Sequence, residues 1–128
     1  MPTYQEIVAT ADAQIAAQQA LEGSLSAEID RIRDKQFNGP LSAADQAELQ
    51  RLRDAKTAVL ATIEALALIT IQDLDRAPEV QTMKSEIAQA RGVLQTRLDE
   101  INHIASVAGT VAAIMGGLSE VQGHLAAL

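Results

Sequence analysis

Residues 104–119 read IASVAGTVAAIMGGLS, sixteen consecutive residues without a charge and the longest such stretch in the chain. Up to Ile101 the preceding helical pattern has one apolar face. Val107, Val111 and Ile114 then point away from that face when 100° per residue is counted. A helix that is apolar on every side is buried on every side. The fold therefore depends on what covers this segment.

The composition predicts a core of closely packed helices. Of the 128 residues, 48% are apolar but only 2% are aromatic, so the core must consist of Leu, Ile, Val and Ala. Alanine has the highest helix propensity and lets helix axes approach closely. We predict an all-α chain that forms one domain, residues 1–128, because this length supports one continuous core. A core of small and medium-sized aliphatic side chains between closely spaced helices is thin, which argues against an enclosed ligand cavity.

Capping and turn residues predict where the helices begin and end. Thr3 and Glu6 have the spacing of a capping box, and a second cap follows at Ser42. Residues 37–40, Phe-Asn-Gly-Pro, end the first helix, since Asn-Gly adopts left-handed conformations and proline cannot continue a helix. Pro78 is a favoured first helical residue. The predicted elements are helix 1 over about 3–37, helix 2 over about 42–75, helix 3 over about 78–115 and a C-terminal segment over 116–128.

The predicted helices carry apolar stripes at helical spacing. Helices 1 and 2 span about 35 residues each, or about 52 Å, and short turns make them antiparallel neighbours. We therefore predict an elongated antiparallel three-helix bundle with a C-terminal apolar extension or a short fourth helix. Gln18 and Glu22 interrupt the stripe of helix 1. The stripe of helix 2 comprises Leu49, Leu52, Val59, Leu60, Ile63, Leu66, Ala67 and Leu74.

The back of predicted helix 2 is also apolar and also needs a partner. Glu64 is the only charge between Ala58 and Ile71, and we expect it to be half buried and paired with Arg91. The surface opposite the core stripe consists of small and aliphatic residues, namely Ala58, Ala61, Thr62, Ala65, Leu68 and Ile69.

The sequence leaves three alternatives for what buries these apolar surfaces. In the first, Gly116 and Gly117 break the chain and residues 118–128 fold back as a short fourth helix. In the second, which we weigh equally, the surfaces contact other copies or a different protein. In the third, lipid covers residues 104–119, although sixteen residues fall short of the roughly 20 that span a bilayer. The candidate interaction residues are Leu68, Ile69, Ile104, Val107, Val111, Ile114, Met115 and Leu118.

Charge and residue types exclude several functions. The net charge of -7 disfavours nucleic acid, whose affinity depends on cationic contacts. The sequence has no cysteine, no Ser-His-acid set, no phosphate-binding glycine loop and no zinc spacing. Glu100 and His103 have the Glu-x-x-His spacing of di-iron bundles, but a second such pair is missing. We therefore expect no enzyme activity, no cofactor and no metal.

The position of the first basic residue is used to predict the cellular compartment. The first basic residue is Arg31, so the positively charged start of a secretory signal peptide is missing. We expect a cytoplasmic protein, with export by a non-classical route left open.

Two charged segments flank the predicted turn at residues 37–40. Residues 28–34 and 48–54 share the pattern Glu, aliphatic, any residue, Arg, aliphatic, Arg, Asp. The simpler interpretation is a solvated face of ion pairs, each stabilising its helix by about 0.2–0.5 kcal/mol. The alternative is a docking patch formed by Arg31, Arg33, Arg51 and Arg53. It would bind an acidic partner or the acidic region of helix 3 at residues 99–100.

These features favour a non-enzymatic structural or protein-interaction bundle. We expect it to self-associate or to dock to a larger assembly through its apolar C-terminal segment. The alternative function is that of a membrane-active helical protein that inserts residues 104–119 reversibly.

Overall fold

The computed structural model describes residues 3–71 and 77–128, which are helical almost throughout. This confirms the predicted all-α class. The predicted end of helix 2 near Asp75 lies outside the described residues. The elements are α1 (Tyr4–Arg33), a 3-10 helix (Asp34–Asn38), α2 (Ala43–Ile71), α3 (Ala77–Glu100) and α4 (Ala105–Ala126).

The caps predicted for the first two helices are confirmed. Thr3 Oγ1 accepts a hydrogen bond from the backbone N–H of Glu6 at 3.1 Å, and Ser42 Oγ accepts one from Asp45 at 3.0 Å. Each bond satisfies an N–H group that a helix start leaves without a partner. After Arg33 the chain tightens into the 3-10 helix, which ends at Asn38 and is followed by Gly39 with a φ of 132°. Glycine adopts this φ at little cost, whereas other residues do not.

The predicted helix 3 over 78–115 is in fact two helices, which corrects the sequence-based boundary. α3 ends at Glu100, residues 101–104 form a turn, and α4 begins at Ala105. Gly116 and Gly117, predicted to break the chain, lie inside α4. When the chain folds back at residue 101, apolar side chains of α4 become buried. Each buried large apolar side chain stabilises the fold by about 1.5–3 kcal/mol. That gain exceeds the roughly 0.5–1.5 kcal/mol contributed by each helical hydrogen bond lost at the turn.

The four helices form an antiparallel bundle in which each helix packs against two neighbours. α1 and α3 both lie against α2 and against α4. His103 Nε2, after the end of α3, lies 3.0 Å from the Glu48 carboxylate near the start of α2. Ser106 Oγ at the start of α4 lies 3.5 Å from Glu28 near the end of α1. The hairpin of α1 and α2 therefore extends beyond the α3–α4 turn, and residues 34–42 at its end are called the α1–α2 tip.

Aliphatic side chains from all four helices fill the core, as the composition predicts. Leu60, predicted to belong to the core stripe of helix 2, is instead 43% exposed. The reason is that α2 packs against both α1 and α3, so its buried face is rotated toward Ala58, Ala65 and Ile69. Fully buried residues include Ile7, Leu25, Leu52, Leu66, Ile87, Leu94, Leu98, Val107, Leu118 and Leu125.

Two glutamines of α1 lie in this core. Gln14 Nε2 donates a hydrogen bond to the backbone carbonyl of Ile114 at 3.1 Å. A Cβ at Gly117 would overlap the Gln14 amide, so glycine at this position lets α4 approach α1 closely. Gln18 is 0% exposed, and its amide finds no hydrogen-bond partner among the described residues. A buried amide without a partner destabilises the folded state.

Candidate functional site

The chain itself covers most of the predicted interaction residues. In the structure, α4 folds back and packs against α1 and α3 of its own chain. Exposure was the reason for assigning these residues to an interface, and that reason does not hold for the buried ones. Leu68, Ile104 and Val111 are partly buried and pack against the core. The five buried residues are Ile69, Val107, Ile114, Met115 and Leu118, none of them more than 8% exposed.

The predicted apolar back of helix 2 lies against α3, which covers only part of it. Thr62 and Ile69 are buried there, whereas Ala61 is exposed. Because alanine side chains are too short to fill the outer seam between the two helices, an open groove of about 470 Å³ remains. This α2–α3 groove is lined by Ala58, Ala61, Ala65 and Leu68 of α2 and by Ala90 and Val93 of α3.

Acidic side chains edge the α2–α3 groove. Glu64 of α2 and Glu86 of α3 line it and are exposed to solvent. Glu64 was predicted to be half buried and paired with Arg91, but Arg91 Nη1 donates to Gln122 Oε1 of α4 at 2.9 Å. The groove thus combines an apolar floor with an acidic rim. Such a surface suits an apolar group that is accompanied by positive charge.

The α1–α2 tip presents an exposed aromatic ring near an ion pair. Phe37 is 89% exposed, nearly twice as much as any other large apolar side chain that the structure describes. Lys35 Nζ, two residues earlier, lies 3.1 Å from Asp45 Oδ1 and holds the pKa of that carboxyl below its ordinary value. Residues 31–56 contain six basic and four acidic residues, a net charge of +2, whereas the rest of the chain carries -9. Most basic side chains of the protein therefore lie at the end of α1, in the tip and in the first half of α2, where Arg31, Lys35 and Arg51 are paired with acids.

The two charged segments form ion pairs within their helices, as the simpler interpretation predicts. Arg31 Nε lies 2.9 Å from Glu28, and Arg51 Nη2 lies 3.1 Å from Glu48. Burial raises the pKa of Glu48, but its contacts with Arg51 and His103 outweigh burial and hold the pKa below the ordinary 4.5. Glu48 thereby joins α2 to the α3–α4 turn.

The pair with di-iron spacing does not converge on one point. His103 contacts Glu48, and Glu100 accepts a hydrogen bond from Arg97 Nη1 at 3.2 Å. Among the residues that the structure describes, no three His, Asp or Glu side chains are placed to hold a metal ion. Over those same ranges no helix is both long and apolar enough to cross a membrane.

Sequence reasoning missed Phe37 and Val93 as surface residues. The available signals were weak. Phe37 stands in an Asn-Gly-Pro turn, where neighbouring side chains rarely provide cover, and Val93 lies off the predicted apolar face of helix 3. No family model, curated protein or solved structure matches the chain.

Proposed function

We propose that this chain is a non-enzymatic protein-interaction bundle whose binding surface is the α2–α3 groove. The observation that carries the proposal is the open groove of about 470 Å³ between α2 and α3, whose floor is formed by apolar side chains that include Leu68 and Val93. An apolar surface with a polar rim has the anatomy of a protein interface. Leu68, one of the predicted interaction residues, lines it.

This proposal moves the interaction surface away from the C-terminal segment. Val107 and Leu118 would have to leave the core to reach a partner, at a cost of about 1.5–3 kcal/mol for each side chain. Ala61 and Val93 are accessible at the surface without any rearrangement.

The ionisable side chains support a binding role over a catalytic one. Arg31 and Arg51 pair with acids one turn earlier on the same helix, a pattern that stabilises helices. Catalytic carboxylates are generally shielded from water so that their proton affinity is tuned. The two carboxylates at the groove, Glu64 and Glu86, are exposed instead.

Site-specific photo-crosslinking tests the proposed surface. A benzoylphenylalanine introduced in place of Ala61 would sit in the groove, whereas the same residue in place of Ala16 would sit on the outer face of α1 as a control. We expect a crosslinked species of defined mass from the Ala61 position and none from the Ala16 position, in cells that express the full chain. No crosslink at either position, or equal crosslinking at both, would contradict the proposal.

Reversible membrane insertion by residues 104–119 is the second candidate function. The observation in its favour is that α4 carries no charge over this stretch. Insertion requires α4 to detach from α1 and α3, so it predicts that lipid vesicles expose α4 to proteases. Flotation of the intact chain with vesicles, followed by limited proteolysis, tests it. A chain that stays with the unbound fraction contradicts this function.

A further inference from the structure

We infer that the α2–α3 groove binds the α1–α2 tip of a second copy of this chain, with Phe37 entering the groove. The inference rests on the proposed function of the groove and names its occupant. Three independent features of the molecule support it: apolar fit, charge and the distance between the two sites.

The first feature is a match between an exposed apolar group and an open apolar groove. Phe37 is 89% exposed at the end of the bundle, and the groove of about 470 Å³ has Ala61, Leu68 and Val93 in its lining. A buried phenylalanine removes a large area from water, and aromatic anchors dominate the energetics of many interfaces. Docking would cover both Phe37 and the groove in one step.

The second feature is charge. Arg33 and Lys35 precede Phe37, with Asp34 between them and Asp45 paired with Lys35. The wider segment 31–56 has a net charge of +2, and Glu64 and Glu86 edge the groove in the acidic remainder of the chain. Opposite charges on the two surfaces orient the tip in the groove and speed the encounter. Two grooves would instead bring like charges together.

The third feature is geometry. The tip extends beyond the α3–α4 turn, so another molecule can approach it without clashing with α3 or α4. Ala61 lies about 27 Å along α2 from Ala43, next to the tip. In an antiparallel, side-by-side pair related by two-fold symmetry, a tip that enters one groove places the second tip at the second groove. The contact then closes as a two-fold dimer and does not extend into a filament.

Two substitutions test the tip and the groove individually. Phe37→Ala removes the tip anchor and leaves the groove intact, whereas Ala61→Arg fills the groove with a charged side chain and leaves the tip intact. Both positions are exposed, so both variants should keep the helical content and unfolding midpoint of the wild type. Ala16→Arg, on the outer face of α1, is the matched control for the added charge.

Sedimentation velocity of the purified full chain, at concentrations up to about 1 mM, provides the measurement. We expect the wild type and Ala16→Arg to dimerise, and salt to weaken the dimer. Phe37→Ala should weaken it at least about 30-fold, as expected for an aromatic anchor. Ala61→Arg should weaken it to a similar extent. An equimolar mixture of the two variants should associate more tightly than either variant alone but less tightly than the wild type, because the mixed dimer keeps one of its two tip–groove contacts intact.

Results other than these would contradict the inference, the proposed function of the groove, or both. A wild type that stays monomeric up to that concentration, or a mixture that associates no more tightly than either variant alone, overturns the inference. If Ala61→Arg abolishes association and Phe37→Ala does not, the groove has a different occupant, and the inference fails while the proposed function stands. If the wild type dimerises and Ala61→Arg has no effect, the inference fails. A crosslink from position 61 that joins the chain to another protein then leaves the proposed function standing, and its absence overturns that function as well.

Discussion

Gln18 is the residue whose placement in the core is most open to test. Its side chain is 0% exposed, and no partner for its amide lies within the described residues. An amide buried without a hydrogen bond costs about 1–3 kcal/mol, and methionine has a similar length without polar groups. We expect Gln18→Met to raise the free energy of unfolding by about 1 kcal/mol, measured by urea denaturation.

Gln14→Met is the matched control, one helical turn away on the same face. Gln14 donates a hydrogen bond to the Ile114 carbonyl, so its replacement loses a contact between α1 and α4. We expect no gain in stability, and a loss of up to about 1 kcal/mol. An equal increase in the free energy of unfolding of both variants would contradict the difference in hydrogen bonding between the Gln14 and Gln18 amides.

Glu48 gives a prediction about pH. Because its contacts with Arg51 and His103 hold the folded-state pKa below 4.5, they stabilise the protein above pH 4.5, and this stabilisation is lost as the pH falls through the folded-state pKa. Glu48→Gln has no carboxylate to titrate. We expect its free energy of unfolding to fall less than that of the wild type between about pH 5 and pH 3.

Asp12→Asn, at an exposed position of α1, is the control for this pH series. It should reproduce the wild-type dependence, since the Glu48 contacts are unchanged. Denaturant unfolding at each pH measures both variants. Parallel curves for Glu48→Gln and the wild type would show that these contacts do not contribute to acid sensitivity.

At the scale of elements, the two adjacent glycines of α4 should respond differently to alanine. Gly116 is exposed within the helix, and a Cβ there has open space around it. Gly116→Ala should therefore stabilise the protein by about 1 kcal/mol, the difference in helix propensity. At Gly117 a Cβ would overlap the Gln14 amide, so we expect Gly117→Ala to give less stabilisation or none.

Thermal unfolding of the two single variants measures this difference. The two glycines are neighbours in sequence, so a general effect of alanine on α4 would appear equally in both. Destabilisation by Gly116→Ala would support the chain break that the sequence predicts at residues 116–117, and it would contradict a continuous α4.

The helix boundaries that local residues determine could be predicted, whereas the α3–α4 turn could not. Thr3, Ser42 and Gly39 act through their own side chains or backbone conformation, so their effect is visible in sequence. Residues 101–104, Ile-Asn-His-Ile, contain neither glycine nor proline, and the apolar face of helix 3 continues past them through alanines. Burial against α1, far away in sequence, decides where this turn forms.

At the scale of the whole molecule, only half of the candidate site was visible in sequence. Leu68 was predicted because it lies on the apolar back of helix 2. Val93 and Glu86 come from α3, and the rotation of α3 about its own axis follows from packing against two neighbours. The exposure of Phe37 likewise depends on the tip extending beyond the α3–α4 turn, which requires the unpredicted turn to be known.

The central claim at this scale is that α4 folds back on α1 of the same molecule and so covers the apolar C-terminal segment. The chain has no cysteine, so the two introduced cysteines are its only thiols. Gln14 and Gly117 face each other across the α1–α4 contact, which makes Gln14→Cys with Gly117→Cys the direct probe. Gln14→Cys with Gly109→Cys, at an exposed glycine, is the control.

Non-reducing gel electrophoresis and intact mass after mild oxidation of dilute protein measure the outcome. We predict that the 14/117 variant forms a disulfide within one chain, with the mass of a monomer, and that the 14/109 control does not. Disulfide-linked dimers of the 14/117 variant in place of the bond within one chain would contradict the claim that α4 folds back on α1 of the same molecule.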